Sequence, residues 1–323
     1  MNSKHFCSVV IPSMGRRSCL IDCINDLAAL SVKPHEILVI EQGGIPDPLP
    51  EIGQLNIRQF HCKEPNASLA RNIGLIEAKG DIVLFLDDDV RISNSDFLEN
   101  HLRHYDDPSV PGVYGQVLEI GQVPSYQPDP SVIATDTGWM DLPANYGRPC
   151  RTRNGASNNL SVRRDLALSV GGMDTWFEKG AIREETDFNL RLTGEFGYLV
   201  FDPHANLQHL SADGGSRSWG RNIGFTRMHH IIGHWYFFLR ALKDAHLSLN
   251  GIKREIRYIA IGVLKNPQSD MNPFIFLTNF ARAVYGLGAA GVRILLGPKR
   301  IDKIDKKIYA EIYKSEQKNR HND

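Results

Sequence analysis

The sequence predicts an α/β fold, a mostly parallel, doubly wound sheet with helices on both faces, followed by a helical C-terminal extension. Three observations carry this expectation. Through the first hundred residues, short apolar runs alternate with segments of helical spacing, the pattern of strands joined by crossover helices. Acidic residues stand directly after two of those runs, where open sheets of this kind hold their ligands. Past Arg221 the strand signals give way to amphipathic patterns.

The elements follow in order. Cys7–Pro12 (CSVVIP) is a first strand and Arg17–Leu30 its crossover helix. Glu36–Glu41 (EILVIE) runs into Gly43 and Gly44, and Ile57–Cys62 supplies a third strand. Asn66–Lys79 has helical spacing and stops at Gly80. Ile82–Leu86 (IVLFL) is short and wholly apolar, the mark of a strand buried on both faces. Ser93–Tyr105 has room for a helix, and residues 121–153, rich in Pro, Gly and Tyr, read as a long loop of the kind that binds or covers ligands. Ser157–Val162 is a strand, Arg164–Val170 and Glu184–Thr193 are short helices, and Tyr198–Leu210 carries one or two strands. The helical remainder reads as Arg221–His246, Gly251–Val263, Pro273–Leu296 and Ile301–Lys318, with Pro273 suited to a first helical position and Asn272 to an N-cap. The chain thus divides into a sheet domain over 1–220 and a helical region over 221–323.

Composition narrows the class. With 42% hydrophobic and 23% charged residues in 323, the chain is an ordinary globular protein, long enough for one large domain with appendages. Its net charge of zero hides an asymmetry: 18 Lys/Arg against 27 Asp/Glu over 1–200, and 19 against 10 over 201–323. The acidic part suits a metal site. The basic part suits either solvated helix faces or an anionic partner such as a membrane surface or an anionic acceptor. Five cysteines (Cys7, Cys19, Cys23, Cys62, Cys150), an odd number with no CxxC pair and no leader before them, point to reduced thiols in a cytoplasmic protein. Arg282 and Arg293 interrupt the longest apolar stretch, so 274–296 is expected to be a core or interfacial helix rather than a membrane span.

The chemistry-bearing residues begin at Asp87-Asp88-Asp89. Carboxylates at i and i+2 beyond a buried strand can converge on one hard divalent cation, which shares its oxygen shell with substrate phosphates; the same acids also fit a solvated loop or a helix cap. Ala70-Arg71-Asn72-Ile73-Gly74, Ala78-Lys79-Gly80-Asp81 and Phe85-Leu86-Asp87-Asp88-Asp89 together resemble the family 2 glycosyltransferases of GT-A fold, and Val10-Ile11-Pro12-Ser13 with Arg16 resembles their first strand and turn. The resemblance runs from about Cys7 to Gly215.

It implies an inverting transfer of a sugar from a nucleotide diphosphate, UDP first, to a hydroxyl of a glycan or lipid-linked acceptor. The cofactor would be Mn²⁺ or Mg²⁺, held by Asp89 and Asp87 with His209. Donor contacts would come from Pro12, Ser13, Arg16, Glu41, Arg71, Asp87 and Asp88; at Glu41 the family usually has aspartate. Arg183 to Leu192 (REETDFNLRL) resembles the family's segment for the general base, which falls on Glu185, another glutamate for aspartate, with Glu184 as the rival. A carboxylate there accepts the acceptor's proton as the new bond forms, and clustered acids raise one another's pKa. Asp187 is a further acceptor-side acid, or simply pairs with Arg191 at i,i+4. Asn159, in a strand resembling GxNxxxRR, and Trp139 would flank the acceptor, and Trp176 either stacks on a sugar or packs internally. Gly214, Gly215 and Arg217 read as a lid over the diphosphate or as an ordinary turn. His229, His230 and His234 (HHxxxH) lack a neighbouring acid and read as a helix face or an interface.

The expected partners are the sugar nucleotide and the acceptor, with peripheral contact on the inner membrane face or homodimerisation through the C-terminal helices, and no nucleic acid. Two alternatives keep the fold: a noncatalytic binding protein, and a sugar nucleotidyltransferase, which would need repeated glycines after the first strand where this chain has Ser13-Met14-Gly15-Arg16-Arg17.

Overall fold

The computed structural model describes residues 5–127, 144–179, 182–215, 227–244, 246–264 and 273–312. Its sheet has the strand order β10-β3-β2-β1-β4-β8-β6-β9-β5, with β7 beside β9. The strands are β1 (Cys7–Ser13), β2 (Glu36–Gln42), β3 (Ile57–Cys62), β4 (Ile82–Leu86), β5 (Val90–Arg91), β6 (Gly112–Glu119), β7 (Cys150–Thr152), β8 (Asn159–Arg163), β9 (Leu199–His209) and β10 (Tyr309–Glu311). Strands β3, β2, β1 and β4 run parallel, as the alternating pattern predicts. Strand β8 then inserts antiparallel between β4 and β6, so the sheet as a whole is mixed. Neither β6 nor β7 is anticipated by the sequence pattern: β6 ends just before the long Pro- and Gly-rich stretch and β7 lies within it.

The helices are α1 (Arg17–Ala29), α2 (Ala67–Glu77), α3 (Phe97–Leu102), α4 (Arg164–Ser169), α5 (Glu184–Phe196), α6 (Met228–Lys243), α7 (Leu249–Leu264) and α8 (Pro273–Leu296). Helix α2 shows why its sequence is particular. Asn66 caps it by accepting the Leu69 N–H at 3.0 Å. Gly74 lies so close to β1 that a methyl group there would come within 2.2 Å of Val10 Cγ1. The glycine lets α2 settle onto the central strand and fixes the height of Arg71 above the strand ends.

The C-terminal helices share a second core with α5, formed by Phe177, Leu190, Tyr236, Phe237, Ala241 and Ala290. Polar contacts seat them: Tyr236 Oη donates to Asp174 at 2.6 Å, and Trp176 Nε1 donates to the Gly297 carbonyl at 2.9 Å. Pro273 occupies the first helical position as expected, while Asn272 lies outside the described residues.

The chain then departs from expectation. Over the described part of the expected helix Ile301–Lys318, residues 301–312, the structure has two single 3₁₀ turns, Ile301–Lys303 and Lys306–Ile308, followed by β10, which pairs antiparallel with β3. Helical spacing of Ile301, Ile304 and Ile308 loses to tertiary pairing, because β3 would otherwise leave an open edge. Arg58 ties the edge down through Glu36 at 3.3 Å, Glu77 at 3.4 Å and Glu311 at 3.0 Å. The sheet therefore draws on both ends of the chain.

Candidate active site

The apolar run of β4 ends against three aspartates with three different environments. Asp88 is fully buried: Ser13 Oγ donates to it at 2.7 Å, and Arg16 lies against its other oxygen. Burial pushes the Asp88 carboxyl up to about 6, against the pull of Arg16 and Ser13. Asp89 accepts from Arg16 Nη1 at 2.7 Å and from the Ala212 N–H at 3.0 Å, and His209 Nε2 lies 3.4 Å from its Oδ1. Burial opposes ionisation of Asp89, but His209 and Arg16 hold it below the usual carboxylate range. Asp87 faces outward and accepts from Arg71 Nη2 at 3.0 Å.

His209 ends β9 and also approaches Glu119 of β6 at 2.8 Å. Burial disfavours its charge, yet the two carboxylates raise it to about 9. Oxygen atoms of Asp87 and Asp89 and a ring nitrogen of His209 lie within 4.8 Å of one another. Apart from the long His209 contact, Asp89 Oδ1 is buried without a hydrogen-bond partner, which leaves it available to a ligand. Two carboxylate oxygens and one imidazole nitrogen are a donor set that would suit Mn²⁺ or Mg²⁺. The expected set of Asp87, Asp89 and His209 thus comes together in space. Glu119, which orients His209, had no signal in the sequence because β6 was not recognisable.

A cavity of about 220 Å³ opens beside this cluster, walled by Pro12, Ser13, Met14, Arg16, Gln42, Asn66, Ala67, Arg71, Asp87, Lys179, Glu184, Glu185 and Gly215. Arg71, 6% exposed, joins its two sides: Nη2 binds Asp87, and Nη1 lies 3.6 Å from Glu184 Oε1. Glu184 Oε2 is buried without a partner. Glu185 accepts from Ser157 Oγ at 3.2 Å. Burial and then the adjacent Glu184 push the Glu185 carboxyl well above the usual range, with Arg71 pulling the other way. Both glutamates sit in the first turn of α5, where the helix dipole favours negative charge.

Gly215 belongs to the cavity wall for a steric reason. Its φ is +54°, and a methyl group there would lie 2.7 Å from the Arg16 guanidinium carbon. Arg217, the other half of the expected lid, lies outside the described residues, as does Trp139.

Other expected residues stand elsewhere. Glu41, at the end of β2, is held by Gln59 and lies 3.9 Å from Arg17; its neighbour Gln42 walls the cavity instead. Burial raises the Glu41 carboxyl. Asn159 is 0% exposed, takes His101 Nε2 at 3.0 Å, and donates to the carbonyls of Gln116 and Ala205. All its polar groups are spent inside the sheet, so it stands behind the cleft rather than facing an acceptor. Asp187 pairs with Arg191 at 2.8 Å, the i,i+4 alternative. Trp176 stacks against Arg293 and Lys299 and belongs to the C-terminal contact. His230 and His234 are buried in α6. Lys179, exposed at the cavity rim with φ 58°, carried no motif that could have announced it.

Comparison with known proteins gives a consistent family. Residues 8–159 match the profile of "Glycosyl transferase family 2". An "Uncharacterized glycosyltransferase" of Rickettsia felis is 34% identical over 227 residues, 61% of this chain and 37% of that protein. The glucosyl-dolichyl phosphate glucuronosyltransferase of Haloferax volcanii is 25% identical over 177 residues, 50% of this chain and 53% of that protein. The chain therefore spans about half or less of the length of these two relatives. Among solved structures, the mannosyltransferase PcManGT from Pyrobaculum calidifontis, in complex with GDP-Man and Mn²⁺, matches with a TM-score of 0.54 at 16% identity, covering 92% of this chain and 80% of that one. At that identity the likeness is one of fold.

Proposed function

Because residues 8–159 match the profile of glycosyltransferase family 2 and the fold is of GT-A type, we propose that the chain is an inverting, metal-assisted glycosyltransferase acting from a sugar nucleotide on a hydroxyl of a glycan or lipid-linked acceptor. UDP is the donor nucleotide in this reading, on the sequence resemblance alone; the mannosyltransferase neighbour binds a GDP sugar. One observation carries the proposal: the Arg71 guanidinium spans Asp87 at 3.0 Å and Glu184 at 3.6 Å, so the donor-side and base-side acids share one cavity.

The roles follow from that geometry. Asp87, Asp89 and His209 would hold Mn²⁺ or Mg²⁺, which when bound supplies Lewis-acid compensation of the diphosphate charge. Arg16, fixed on Asp88 and Asp89, keeps the aspartate loop ordered against its own repulsion. Arg71 offers its charge to the departing diphosphate while holding Glu184. Glu185, whose proton affinity is raised by burial and by Glu184, accepts the acceptor's proton. A single displacement on the face opposite the leaving group inverts the anomeric carbon and needs no protein nucleophile. Glu185→Gln is expected to lower transfer by about 10²–10⁴-fold while leaving nucleotide binding within a factor of about two. Sugar transfer by that variant at the parental rate would remove Glu185 from the mechanism.

The proposal extends to where the acceptor is met, on the cytoplasmic face of a membrane. Residues 1–220 would then form the catalytic unit and 221–323 the region that meets the acceptor, with strand β10 returning to the sheet. Among the described residues no helix is long and apolar enough to cross a membrane. Helix α8 nevertheless turns an apolar face outward, with Leu277, Phe280, Val284, Tyr285, Val292 and Leu295 all exposed. Helix α7 exposes Leu249 and Ile256 interleaved with Lys253 and Arg257. An apolar face bordered by cations is complementary to an anionic lipid surface, which would bring a lipid-linked acceptor to the cleft.

A further inference from the structure

Glu184 and Glu185 are aimed by a residue in an unfavourable backbone state. Arg183, the N-cap of α5, has φ 78° and ψ 0°, the left-handed region that favours glycine, and its side chain makes no capping bond to the helix. Such a conformation persists only where the surroundings impose it. Here the surroundings are the C-terminal helices. The Arg183 side chain is buried, Nη2 binds Glu255 Oε1 of α7 at 2.5 Å, and the guanidinium carbon lies 4.9 Å from the Phe237 ring of α6 and 5.8 Å from the Tyr258 ring of α7.

Glu255 is 1% exposed, and its second oxygen has no hydrogen-bond partner. Burial works against both charges, raising the Glu255 carboxyl and bringing Arg183 down to about 10, so each group stays ionised largely through the other. The pair is therefore a directional tie. It reaches from a helix more than sixty positions downstream to the residue directly before the paired acids.

We infer that Glu255 is a positioning residue: through Arg183 it holds the first turn of α5 in place and so sets the aim of Glu184 and Glu185, making the C-terminal helices part of the catalytic apparatus. This rests on the reading of the glutamate pair as the base site. It gives those helices a role independent of any surface they dock on, and it explains why an arginine, rather than glycine, stands at a left-handed position. The side chain is the tether, and the strain is tolerated because the tether is buried.

The test is Glu255→Gln in the full chain, which keeps the shape and removes one charge. Hydrogen exchange of the peptide covering 182–190 should quicken by about tenfold, while peptides covering β1 and β4 stay unchanged. Turnover of a donor drawn from a panel of UDP-, GDP- and dTDP-sugars should drop about 10²-fold in kcat with donor KM within about twofold. Parental kcat with unchanged exchange over 182–190 would overturn the inference, and so would an equal loss of protection across the whole sheet. If Glu255→Gln does not fold, the pair Arg183→Met with Glu255→Leu removes both buried charges together and faces the same two outcomes. Glu185→Gln, run alongside, separates the failures: an active Glu185→Gln refutes the base reading, whereas an inactive Glu185→Gln beside a fully active Glu255→Gln refutes only the tether.

Discussion

His101 gives the protein a built-in pH dependence that also tests what Asn159 is for. The imidazole sits on α3, 0% exposed, with Nδ1 3.0 Å from Ser161 Oγ and Nε2 3.0 Å from Asn159 Oδ1. An amide oxygen only accepts, so Nε2 carries the ring's proton and Nδ1 is the acceptor of a neutral ring. Burial lowers the pKa from 6.5 to about 4, against the opposing hydrogen bond to Asn159. Above about pH 7.5 the ring is neutral folded or unfolded and contributes no pH dependence. Between 6.5 and 4 the unfolded chain binds a proton that the folded chain refuses, so stability falls as pH falls. A shift of this size corresponds to about 3 kcal/mol at full development, of which about 2 kcal/mol is present by pH 5. Urea unfolding of wild type and His101→Gln at pH 7.5 and pH 5 isolates the effect from other titrating groups. The wild-type advantage should shrink by about 2 kcal/mol on going to pH 5. An advantage that stays constant across the two pH values would mean the ring is not held neutral. It would also undercut the account of Asn159 as a buried sheet residue rather than an acceptor contact.

Two further outcomes follow. Gly74→Ala should destabilise the fold by about 1–3 kcal/mol despite a better helix propensity, and Val10→Ala in the same chain should recover part of the loss, read as a non-additive double-mutant cycle in urea. The protein should sediment with vesicles containing anionic lipid and not with zwitterionic ones, and Leu277→Asp with Val284→Asp should abolish this; a stable dimer in light scattering with no vesicle binding would assign the α8 face to a second copy instead.

Much of the site was legible because it is written in short segments. Strand β4 and its aspartates are contiguous, and Arg71 and Gly74 lie on one helix whose cap, Asn66, precedes it. Each such segment carries its own geometry: a strand end, a helix face, a first helical turn. What could not be read was assembled across distance. Asn159 matched a motif, yet its surroundings, His101, Gln116 and Ala205, come from three other elements, and only their convergence shows it to be internal. Helical spacing at Ile301, Ile304 and Ile308 was real, but the open edge of β3 decided the outcome. The left-handed Arg183 and the rim position of Lys179 have no local signature, because partners far along the chain or the cavity wall impose them.

In the proposed reaction a divalent cation and a nucleotide diphosphate share the site built on Asp89. The most direct measurement is a thermal-shift series with UDP, GDP, dTDP and CMP, each with Mn²⁺ and with chelator, on wild type and Asp89→Ala. A ligand that binds only the folded state at about a hundred times its Kd stabilises by about 2.7 kcal/mol, a shift of a few degrees for a chain of this size. Such a shift is expected for one nucleoside diphosphate, present with Mn²⁺, absent with chelator and absent in Asp89→Ala. A shift of equal size in Asp89→Ala, or no shift with any nucleotide, would rule out a nucleotide site built on that carboxylate.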